Sequence, residues 1–290
     1  MAELSDHTKL MNIIIGLCHG VPHWPNPFTK KNYKISKIEA KIPESNPDII
    51  ISNTHTNHSI LFECKSSHNV KEKQVERYAK VRKDPSVFVQ SGKVKVVHKG
   101  QYSVDVTYCS FEDLSSNELI CKHDMHCIHV EKIVNSKINS IHLTRGNFSK
   151  NGLNNIFPID TKDSRPPYFL YPFDENEIEL FTKEMLNQLQ KFALTNKKSF
   201  TIPELLSETH SMWKFIDDQK KFENKASSIL SDLQKKGLKN YLRRSRVSGE
   251  WTITIKQGNR SFQAFQEKCM NIINQLDYNS YQDVLVISEN

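Results

Sequence analysis

Two segments, Asn46-Pro47-Asp48-Ile49-Ile50-Ile51 and Ile60-Leu61-Phe62-Glu63-Cys64-Lys65, carry the clearest fold signal in the chain. Each segment contains a short apolar run that is typical of a buried β-strand, and the polar residues between the segments predict a turn. Asp48 opens the first strand. Glu63 and Lys65 are two residues apart in the second strand, so they project from the same face of the sheet. Burying charged side chains in an otherwise apolar strand is energetically unfavourable, so these charges are expected to have a functional role.

Two carboxylates and a lysine on neighbouring strands suit the hydrolysis of a phosphodiester bond. This reaction needs a hard divalent cation held by oxygen ligands, and a group that orients or deprotonates the attacking water. Asp48 and Glu63 can supply oxygen ligands for the cation, with the backbone carbonyl of Cys64 close by. Lys65 can orient or deprotonate the attacking water. A Pro-Asp pair followed by Glu-x-Lys also arises by chance in a charged chain, so two ordinary strand ends with solvated charges are the alternative.

A helical pattern follows these strands directly. Apolar residues at Val70, Val75, Tyr78 and Val81 predict a surface helix over residues 70–82 that packs on the sheet. Gln74 and Tyr78 are four residues apart and therefore share one face of this helix.

These motifs together resemble the PD-(D/E)XK nuclease superfamily, which includes many restriction endonucleases, Holliday-junction resolvases and RecB-type nucleases. The resemblance rests on Pro47-Asp48, on Glu63-Cys64-Lys65 and on the Q-x-x-x-Y pattern of Gln74 and Tyr78, and it covers roughly residues 1–110. It implies an α/β fold with a restriction endonuclease-like core, in which helices flank a mixed central sheet.

The resemblance also implies roles for the individual residues. Asp48, Glu63 and the Cys64 carbonyl would ligate Mg²⁺, for which Mn²⁺ could substitute, and no organic cofactor is expected. Lys65 would position the nucleophilic water and stabilise charge on the phosphate. Gln74 would support the site as part of the catalytic set, and Tyr78 would contact DNA or brace the helix.

Members of this superfamily often carry a further acidic residue upstream. Glu39 is the candidate metal ligand here, because it lies in the predicted strand Tyr33–Ile42 with a parity opposite to that of Ile38. A solvated strand glutamate is the alternative. Glu3 and Asp6, near the first helix, are the other candidates.

The order of elements predicts two domains and a linker. An α/β nuclease domain is expected over residues 1–150, a linker rich in proline over 151–173, and a mostly helical domain over 174–290. The elements predicted for the first domain, besides the helix at 70–82, are a helix at 5–17 and strands at 33–42, 48–52, 59–65, 86–90, 93–98 and 102–108.

The C-terminal residues predict three helices and a hairpin. The helices cover Glu175–Leu194, the segment from Ser199 or Thr201 to Leu206, and Lys225–Lys236, and the hairpin turns at Ser248-Gly249. This order is typical of a winged-helix domain, in which the third helix can enter the major groove of DNA and the wing can touch the backbone.

The net charge of the chain is concentrated in this region. Residues 197–270 contain 15 Lys and Arg against 8 Asp and Glu, and the whole chain carries a formal charge of +7. Neutralisation of DNA phosphates, with strong salt dependence, is the expected role. A solvated basic face on a winged helix that binds proteins is the alternative. The candidate DNA-binding residues are Lys220, Lys221, Lys225, Lys235, Lys236, Arg243, Arg244 and Arg246, besides Tyr78.

The composition excludes several classes of protein. A chain of 290 residues with 37% apolar residues can build a core, which argues against a disordered or fibrous protein. A mean hydropathy of −0.57 and apolar runs of only a few residues predict no membrane span. The absence of a signal-peptide pattern predicts a cytoplasmic, nucleoid-associated protein of bacterial type, and the six cysteines are then expected as thiols.

Two groups of cysteine and histidine are candidates for a structural zinc site. Neither shows the two clean ligand pairs that zinc prefers, so ordinary strand or loop residues are the alternative. The first group contains Cys121, His123, His126, Cys127 and His129, and the second Cys18, His19 and His23.

The function predicted from the sequence is that of a metal-dependent DNA endonuclease of the restriction or mobile-element and defence type, targeted by a basic winged helix. Double-strand cleavage needs two active sites, so a homodimer or a partner recombination or transposase subunit is expected. One alternative is the endonuclease subunit of a heteromeric transposase, although that subunit commonly lacks the glutamate that Glu63 supplies here. The others are an RNA nuclease and a non-catalytic DNA-binding regulatory protein. The recognition sequence and the cut position are left open.

Overall fold

The computed structural model of the chain describes residues 5–19, 24–43, 45–94, 101–132, 139–150, 152–161, 175–255 and 259–288. These residues form two compact units. The sheet unit contains the described residues from Asp6 to Thr161 together with Phe215–Asp218. The helical unit contains Ser5 and the described residues from 175 to 214 and from 219 to 288.

A seven-stranded mixed sheet forms the centre of the sheet unit, and its strands lie in chain order. β1 to β3 form an antiparallel meander, β4 and β5 continue it in parallel with β3, and β6 and β7 are antiparallel again. Every residue of β2 is buried, as expected for a strand that is covered on both faces. The strands are β1 (Lys34–Ile38), β2 (Ile49–Asn53), β3 (His58–Lys65), β4 (Ser103–Ser110), β5 (His126–Lys132), β6 (Asn139–Arg145) and β7 (Ile159–Asp160).

Helices flank this sheet, so the predicted α/β class is confirmed. The longest of them, α1 and α3, lie close to β3 and β4, respectively. α3 buries Val75, Tyr78 and Val81 in one apolar cluster with Leu61 and Val106 of the sheet. The helices of the unit are α1 (Asp6–His19), α2 (Pro27–Lys30), α3 (Glu72–Lys83), α4 (Ser86–Gln90) and α5 (Glu118–Lys122).

The alternation of β3 directs its side chains to two different layers. Phe62 meets the ring of Phe28 in α2, with ring centroids 5.7 Å apart. Leu61 packs with α3, and Glu63 contacts the same helix through Tyr78. The period of two thus places Glu63 and Lys65 on the α3 face, as the sequence predicts.

The segment Ser86–Gln90 is a short helix, α4, and the prediction of a strand there was wrong. Val87 and Val89 suggested alternation, but the local start signals favour a helix. Pro85 precedes the first turn, and the Asp84 carboxylate accepts a hydrogen bond from the Ser86 N–H at 3.0 Å. Of the strand predicted at 93–98, residues 95–98 lie outside the described part of the chain.

The first predicted strand ends earlier than expected. β1 stops at Ile38, because Glu39 has a φ of 48° and leaves the extended conformation. At the other end of the unit, β7 lies within the predicted linker 151–173 and pairs with β6. Residues 152–161 therefore belong to the sheet unit, while 162–173 lie outside the described residues.

The helical unit has the order helix, strand, helix, helix, hairpin, helix. α6 has the bounds that the sequence predicts, and Thr201 caps α7 in a capping box with Glu204. The hairpin strands β9 and β10 pair around a turn in which Gly249 has a φ of 71°, and β8 adds to the other edge of β10. The elements are α6 (Glu175–Leu194), β8 (Ser199–Phe200), α7 (Ile202–Thr209), α8 (Gln219–Leu233), β9 (Leu242–Arg244), β10 (Trp251–Ile253) and α9 (Asn259–Ser288).

Asp217 joins the late segment Phe215–Asp218 to the sheet unit. Its carboxylate, 8% exposed, accepts bonds from the Lys93 Nζ at 2.6 Å and the Lys41 backbone N–H at 2.9 Å. Lys37 Nζ lies 3.7 Å away. Burial alone would raise the pKa of Asp217, but these donors and charges lower it.

We expect Asp217→Asn to destabilise the protein by about 1–3 kcal/mol at neutral pH, because the lysines lose their charged partner. An acid with a lowered pKa in the folded state stabilises above its unfolded pKa, near 4, and this contribution is lost as the pH falls through the folded pKa. The stability difference between the two proteins should therefore shrink below about pH 4. Urea unfolding at several pH values measures it.

Asp218→Asn is the matched control for this prediction. Asp218 pairs with Lys41, whose side chain is 69% exposed, and an exposed pair contributes about 1 kcal/mol or less. An equal loss of stability in both variants would show that the burial of Asp217 does not matter.

Candidate active site

The candidate site lies where the start of β2 meets the end of β3. Ile49 and Phe62 are partners in the antiparallel ladder, and the Asp48 N–H donates to the Phe62 carbonyl at 3.0 Å. This backbone pairing places Asp48 beside Glu63. α1 and α3 supply the remaining side chains of the site, His7 and Gln74 with Tyr78.

The Glu63 carboxylate is held by three donors and is almost completely buried, with 5% of the residue exposed. Its Oε1 accepts from the Gln74 Nε2 at 2.7 Å and the Lys65 Nζ at 2.8 Å. Its Oε2 accepts from the Tyr78 hydroxyl at 2.6 Å. A carboxylate offers about four lone-pair positions, so one remains for a further partner.

Lys65 completes a closed triangle with Glu63 and Gln74. Its Nζ donates to the Gln74 Oε1 at 2.7 Å as well as to Glu63. This arrangement sets the orientation of the Gln74 amide, because its oxygen must face the lysine and its nitrogen the glutamate. An ammonium has three protons, and the third has no protein partner among the described residues. The side chain is 17% exposed, so a ligand can reach it.

Asp48 faces the same space from the neighbouring strand. Its Oδ2 accepts the Cys64 N–H at 2.6 Å, while its Oδ1 has no hydrogen bond within the described part of the chain and lies 3.8 Å from the His7 Nε2. The side chain is 16% exposed. Asp48 and Lys65 thus open towards solvent, and Glu63 lies behind them.

His7 is a residue of the site that the sequence reasoning missed. Its Nδ1 lies 3.1 Å from the Cys64 carbonyl, and since a carbonyl can only accept, the Nδ1 carries the proton. The Nε2 then points towards Asp48. His7 precedes the apolar residues Leu10 and Ile14 by three and seven positions, so the helical period could have placed it on the face of α1 that packs on the sheet.

The surroundings of Asp48 disfavour the ionisation of its carboxyl group. Burial, and then the charge of Glu63, raise the pKa of Asp48 well above its usual value, while the Cys64 N–H and Lys65 oppose this shift. Burial, and then the charges of Glu63 and Asp48, raise the pKa of Tyr78. The hydroxyl therefore stays protonated and donates a hydrogen bond to Glu63. The site therefore brings two carboxyl groups close together, with the Lys65 ammonium beside Glu63.

Oxygen atoms are the metal ligands that this site offers. They are the Asp48 Oδ1, the remaining lone pair of Glu63 and the Cys64 carbonyl, which already accepts from His7. No group of three or more His, Cys, Asp or Glu side chains within the described residues is arranged to hold a metal ion. The site thus resembles a two-carboxylate arrangement and not a cage built from protein ligands alone.

Glu39 does not occupy a strand position, so the parity argument for it was wrong. Its N–H donates to the Asp48 carbonyl at 2.7 Å, and its charge contributes to the raised pKa of Asp48. Asp6 is 45% exposed and pairs with the Lys9 Nζ at 3.3 Å. Glu3 lies outside the described residues.

Tyr78 is completely buried, and its hydroxyl is engaged by Glu63. It therefore braces α3 against the sheet, and the alternative of a DNA contact by this side chain is contradicted.

Within the described part of the chain, the cysteines and histidines of the two candidate zinc groups do not form a metal site. Cys127 belongs to the apolar cluster under α3, while the neighbouring His126 stacks edge-on against Phe148 with ring centroids 4.9 Å apart. His129 contacts the Phe111 carbonyl instead. All six cysteines are free thiols, and burial raises the pKa of Cys127 to about 12. His23 lies outside the described residues.

The predicted DNA-binding residues of the helical unit lie on its surface. Lys220, Lys221 and Lys225 belong to the first half of α8, and all candidates are exposed except Lys225, which is half-buried. Lys235 and Lys236 lie in a π-helical turn after α8, and Lys235 also pairs with Asp232 at 3.7 Å. The other three are Arg243 and Arg244 in β9 and Arg246 in the following turn.

None of the described helices combines the length and the hydropathy that are needed to cross a membrane.

Comparisons with known proteins find two family models that match the chain. The family model of the MJECL32 domain matches residues 6–171, and the model of a domain of unknown function, DUF8601, matches residues 174–285. The chain is 32% identical over 212 residues to the uncharacterized protein MJECL32 of Methanocaldococcus jannaschii, a match that covers 66% of this chain and 47% of that protein. The chain therefore spans about half the length of this curated relative.

No solved structure shows significant similarity to the chain. The boundary between the two family matches falls at residues 172–173, at the end of the predicted linker. Asp48, Glu63, Lys65 and the helices that surround them all lie within the first match, which covers more than half of the residues, and the chain therefore belongs to the MJECL32 domain family.

Proposed function

We propose that the sheet unit is a metal-dependent nuclease that hydrolyses phosphodiester bonds in DNA. One observation carries this proposal: Lys65 and Glu63, joined by Gln74, converge with Asp48 at a partly open point where the start of β2 meets the end of β3. The sheet with its flanking helices also agrees with a restriction endonuclease-like core.

Mg²⁺ fits the donor set of this site. This ion prefers oxygen ligands and is usually bound through one or two carboxylates, with water and substrate phosphate in its other positions. Asp48 and Glu63 are close enough for the charge of one to raise the pKa of the other, a repulsion that a cation would relieve. When bound, Mg²⁺ or Mn²⁺ would supply positive charge next to the scissile phosphate.

The protein residues would then act by position and by proton donation. The third proton of Lys65 is available to a phosphate oxygen or to the attacking water, which places it where charge develops. Gln74 holds both Lys65 and Glu63 through hydrogen bonds, and the Tyr78 hydroxyl fixes the other oxygen of Glu63. Gln74 and Tyr78 are therefore positioning residues.

We propose that the helical unit binds DNA as a winged helix. The order of its elements supports this, because α8 takes the place of the third helix and the β9–β10 hairpin that of the wing. The basic residues of the hairpin, Arg243, Arg244 and Arg246, are exposed to solvent, as contacts to a DNA backbone require.

We expect the triple variant Arg243→Ala/Arg244→Ala/Arg246→Ala to bind DNA more weakly than wild type. The slope of log K against log salt should become shallower by about 0.9 for each duplex phosphate contact that is lost. Fluorescence anisotropy at several salt concentrations measures both effects. The matched control removes three exposed charges elsewhere in the unit, Lys191, Arg260 and Lys268. Equal losses in both triple variants would contradict a binding wing.

The nuclease proposal is tested by a substrate panel with the purified full chain. Duplex, branched and single-stranded DNA and RNA are incubated with Mg²⁺ or Mn²⁺, and wild type is compared with Lys65→Ala. Cleavage of DNA by the wild-type chain without any partner subunit supports the proposal. Cleavage of RNA alone would assign an RNA nuclease, and cleavage of DNA only with a partner subunit would favour the transposase-type alternative. Binding without cleavage in every condition would leave the regulatory alternative.

A further inference from the structure

An open cleft of about 380 Å³ lies next to the candidate active site in the sheet unit. Lys65 and Gln74 form the side that it shares with the site. Another part of its lining consists of Lys71, which directly precedes α3, and of Lys73 and Arg77 in the first half of that helix. The remaining lining residues, Ser45 and Asn46, come from the turn before β2.

The charged side chains that line this cleft are all positive. Four of its seven lining residues are cationic and none is acidic. Lys71, Lys73 and Arg77 are exposed, and among the described residues none of them has an acidic partner. The acids of the same helix lie elsewhere, since Glu72 does not line the cleft and faces Lys122 at 3.9 Å. Neighbouring cations without counter-charges attract an anion.

The spacing of these cations suits an extended polyanion better than one small ion. Lys73 and Arg77 are one helical turn apart on the same face of α3, which separates them by about 6 Å along the axis. Gln74 lies beside both, so a strand that contacts Arg77 and Lys73 continues towards Lys65. The arginine can bind a phosphate through two parallel hydrogen bonds.

A buried hydroxyl at the edge of the cleft has no hydrogen-bond partner among the described residues. It belongs to Ser45, which is 5% exposed. An unsatisfied buried hydroxyl is unfavourable by about 1–3 kcal/mol. A phosphate oxygen in the cleft would be the acceptor that this hydroxyl needs after a rotation about its χ1 bond.

We propose that Lys73 and Arg77, with Lys71, form a subsite that holds the phosphate neighbouring the scissile phosphate on the strand that is cut. This inference rests on the proposed nuclease function, because it places the scissile phosphate next to Lys65. The ligand is the phosphodiester backbone of a nucleic acid strand. The subsite binds the substrate in its ground state and in the transition state alike, so it acts on KM more than on kcat.

The test compares the full-length double variant Lys73→Ala/Arg77→Ala with wild type. The matched control is Lys34→Ala/Lys83→Ala, which removes two exposed lysines of the same unit that do not line the cleft. We expect KM for cleavage to rise about 10-fold or more in the cleft variant, while kcat changes less than about threefold. The control variant should keep both constants within about twofold of wild type.

Binding without catalysis provides the independent measurement. A fluorescent single-stranded oligonucleotide is titrated in EDTA, in the background of the three wing replacements, so that the helical unit does not mask the effect. The salt slope should become shallower by about 0.7 for each lost phosphate contact in the cleft variant and stay unchanged in the control.

The outcomes separate the two proposals. Unchanged KM and salt slope in the cleft variant, or equal changes in cleft and control variants, would overturn the subsite. If wild type cleaves nothing, the nuclease proposal fails, and the salt slope in EDTA still decides whether the cleft binds a strand. Thermal unfolding of both variants checks that the exposed replacements leave the fold intact.

Discussion

Lys65→Ala should cleave DNA at least about 10²-fold, and up to about 10⁴-fold, more slowly than wild type, with little change in its affinity for metal ions. The side chain has one proton without a partner among the described residues, at the open end of the triangle with Glu63 and Gln74. In the proposed mechanism, its loss removes the donor that would face the reacting phosphate or water. The carboxylate oxygens that would hold the metal remain, so binding of Mn²⁺ measured by calorimetry should persist.

Two variants make this prediction specific. Lys83→Ala removes an exposed lysine at the end of α3 and should keep full activity. Lys65→Arg keeps the charge but replaces a compact ammonium by a planar fork, which cannot meet Glu63 and Gln74 with the same geometry, so it should rescue little. Activity of Lys65→Ala within about threefold of wild type would remove Lys65 from the mechanism.

Asp48→Asn should separate stability from function. Asparagine can still accept the Cys64 N–H, but it carries no charge to be repelled by Glu63. We therefore expect the variant without metal to be at least as stable as wild type at neutral pH, while cleavage is lost. Wild type should gain stability with Mg²⁺ by about 2.7 kcal/mol at 100 times Kd, and the variant should gain much less.

The raised pKa of Asp48 also predicts how the stability of the folded protein changes with pH. The raised pKa means that folded wild type holds the Asp48 proton after the unfolded chain has released it, above about pH 3.9. The contribution of Asp48 to stability is therefore largest below that pH and declines as the pH rises through the folded-state pKa. The variant should lack this decline. Thermal unfolding between about pH 4 and 8, with and without Mg²⁺, measures both effects.

Glu76→Gln is the matched control, because Glu76 is exposed on α3 and lies outside the site. It should change neither the response to Mg²⁺ nor the pH profile. An Asp48→Asn variant that is stabilised by Mg²⁺ as much as wild type would show that Asp48 is not a ligand.

Local periodicity was enough to predict the centre of the candidate site. A period of two placed Glu63 and Lys65 on one face of β3, and a spacing of four placed Gln74 and Tyr78 on one face of α3. These relations lie within one element, so the covalent geometry of the strand or helix determines them. The error at Ser86–Gln90 has the same origin, because five residues with two valines fit either period and only Asp84 and Pro85 distinguish them.

Contacts between distant parts of the chain were beyond the sequence pattern. His7 meets Cys64 across 57 positions, and Asp217 meets Lys93 across 124. Neither histidine nor aspartate lies in a motif that predicts such a partner. The open cleft beside Lys65 likewise exists only because the start of α3 and the turn before β2 are folded against each other.

Composition and local periodicity were sufficient to predict the α/β class of the first unit, the charges that share one face of a strand or helix, and the basic character of the C-terminal region. Which of these charges meet and which stay solvated depends on tertiary packing: Glu63 is buried and held by three donors, while Lys73 and Arg77 are exposed without an acidic partner among the described residues. Burial and the distance between partners set the strength of an electrostatic interaction, and both are properties of packing.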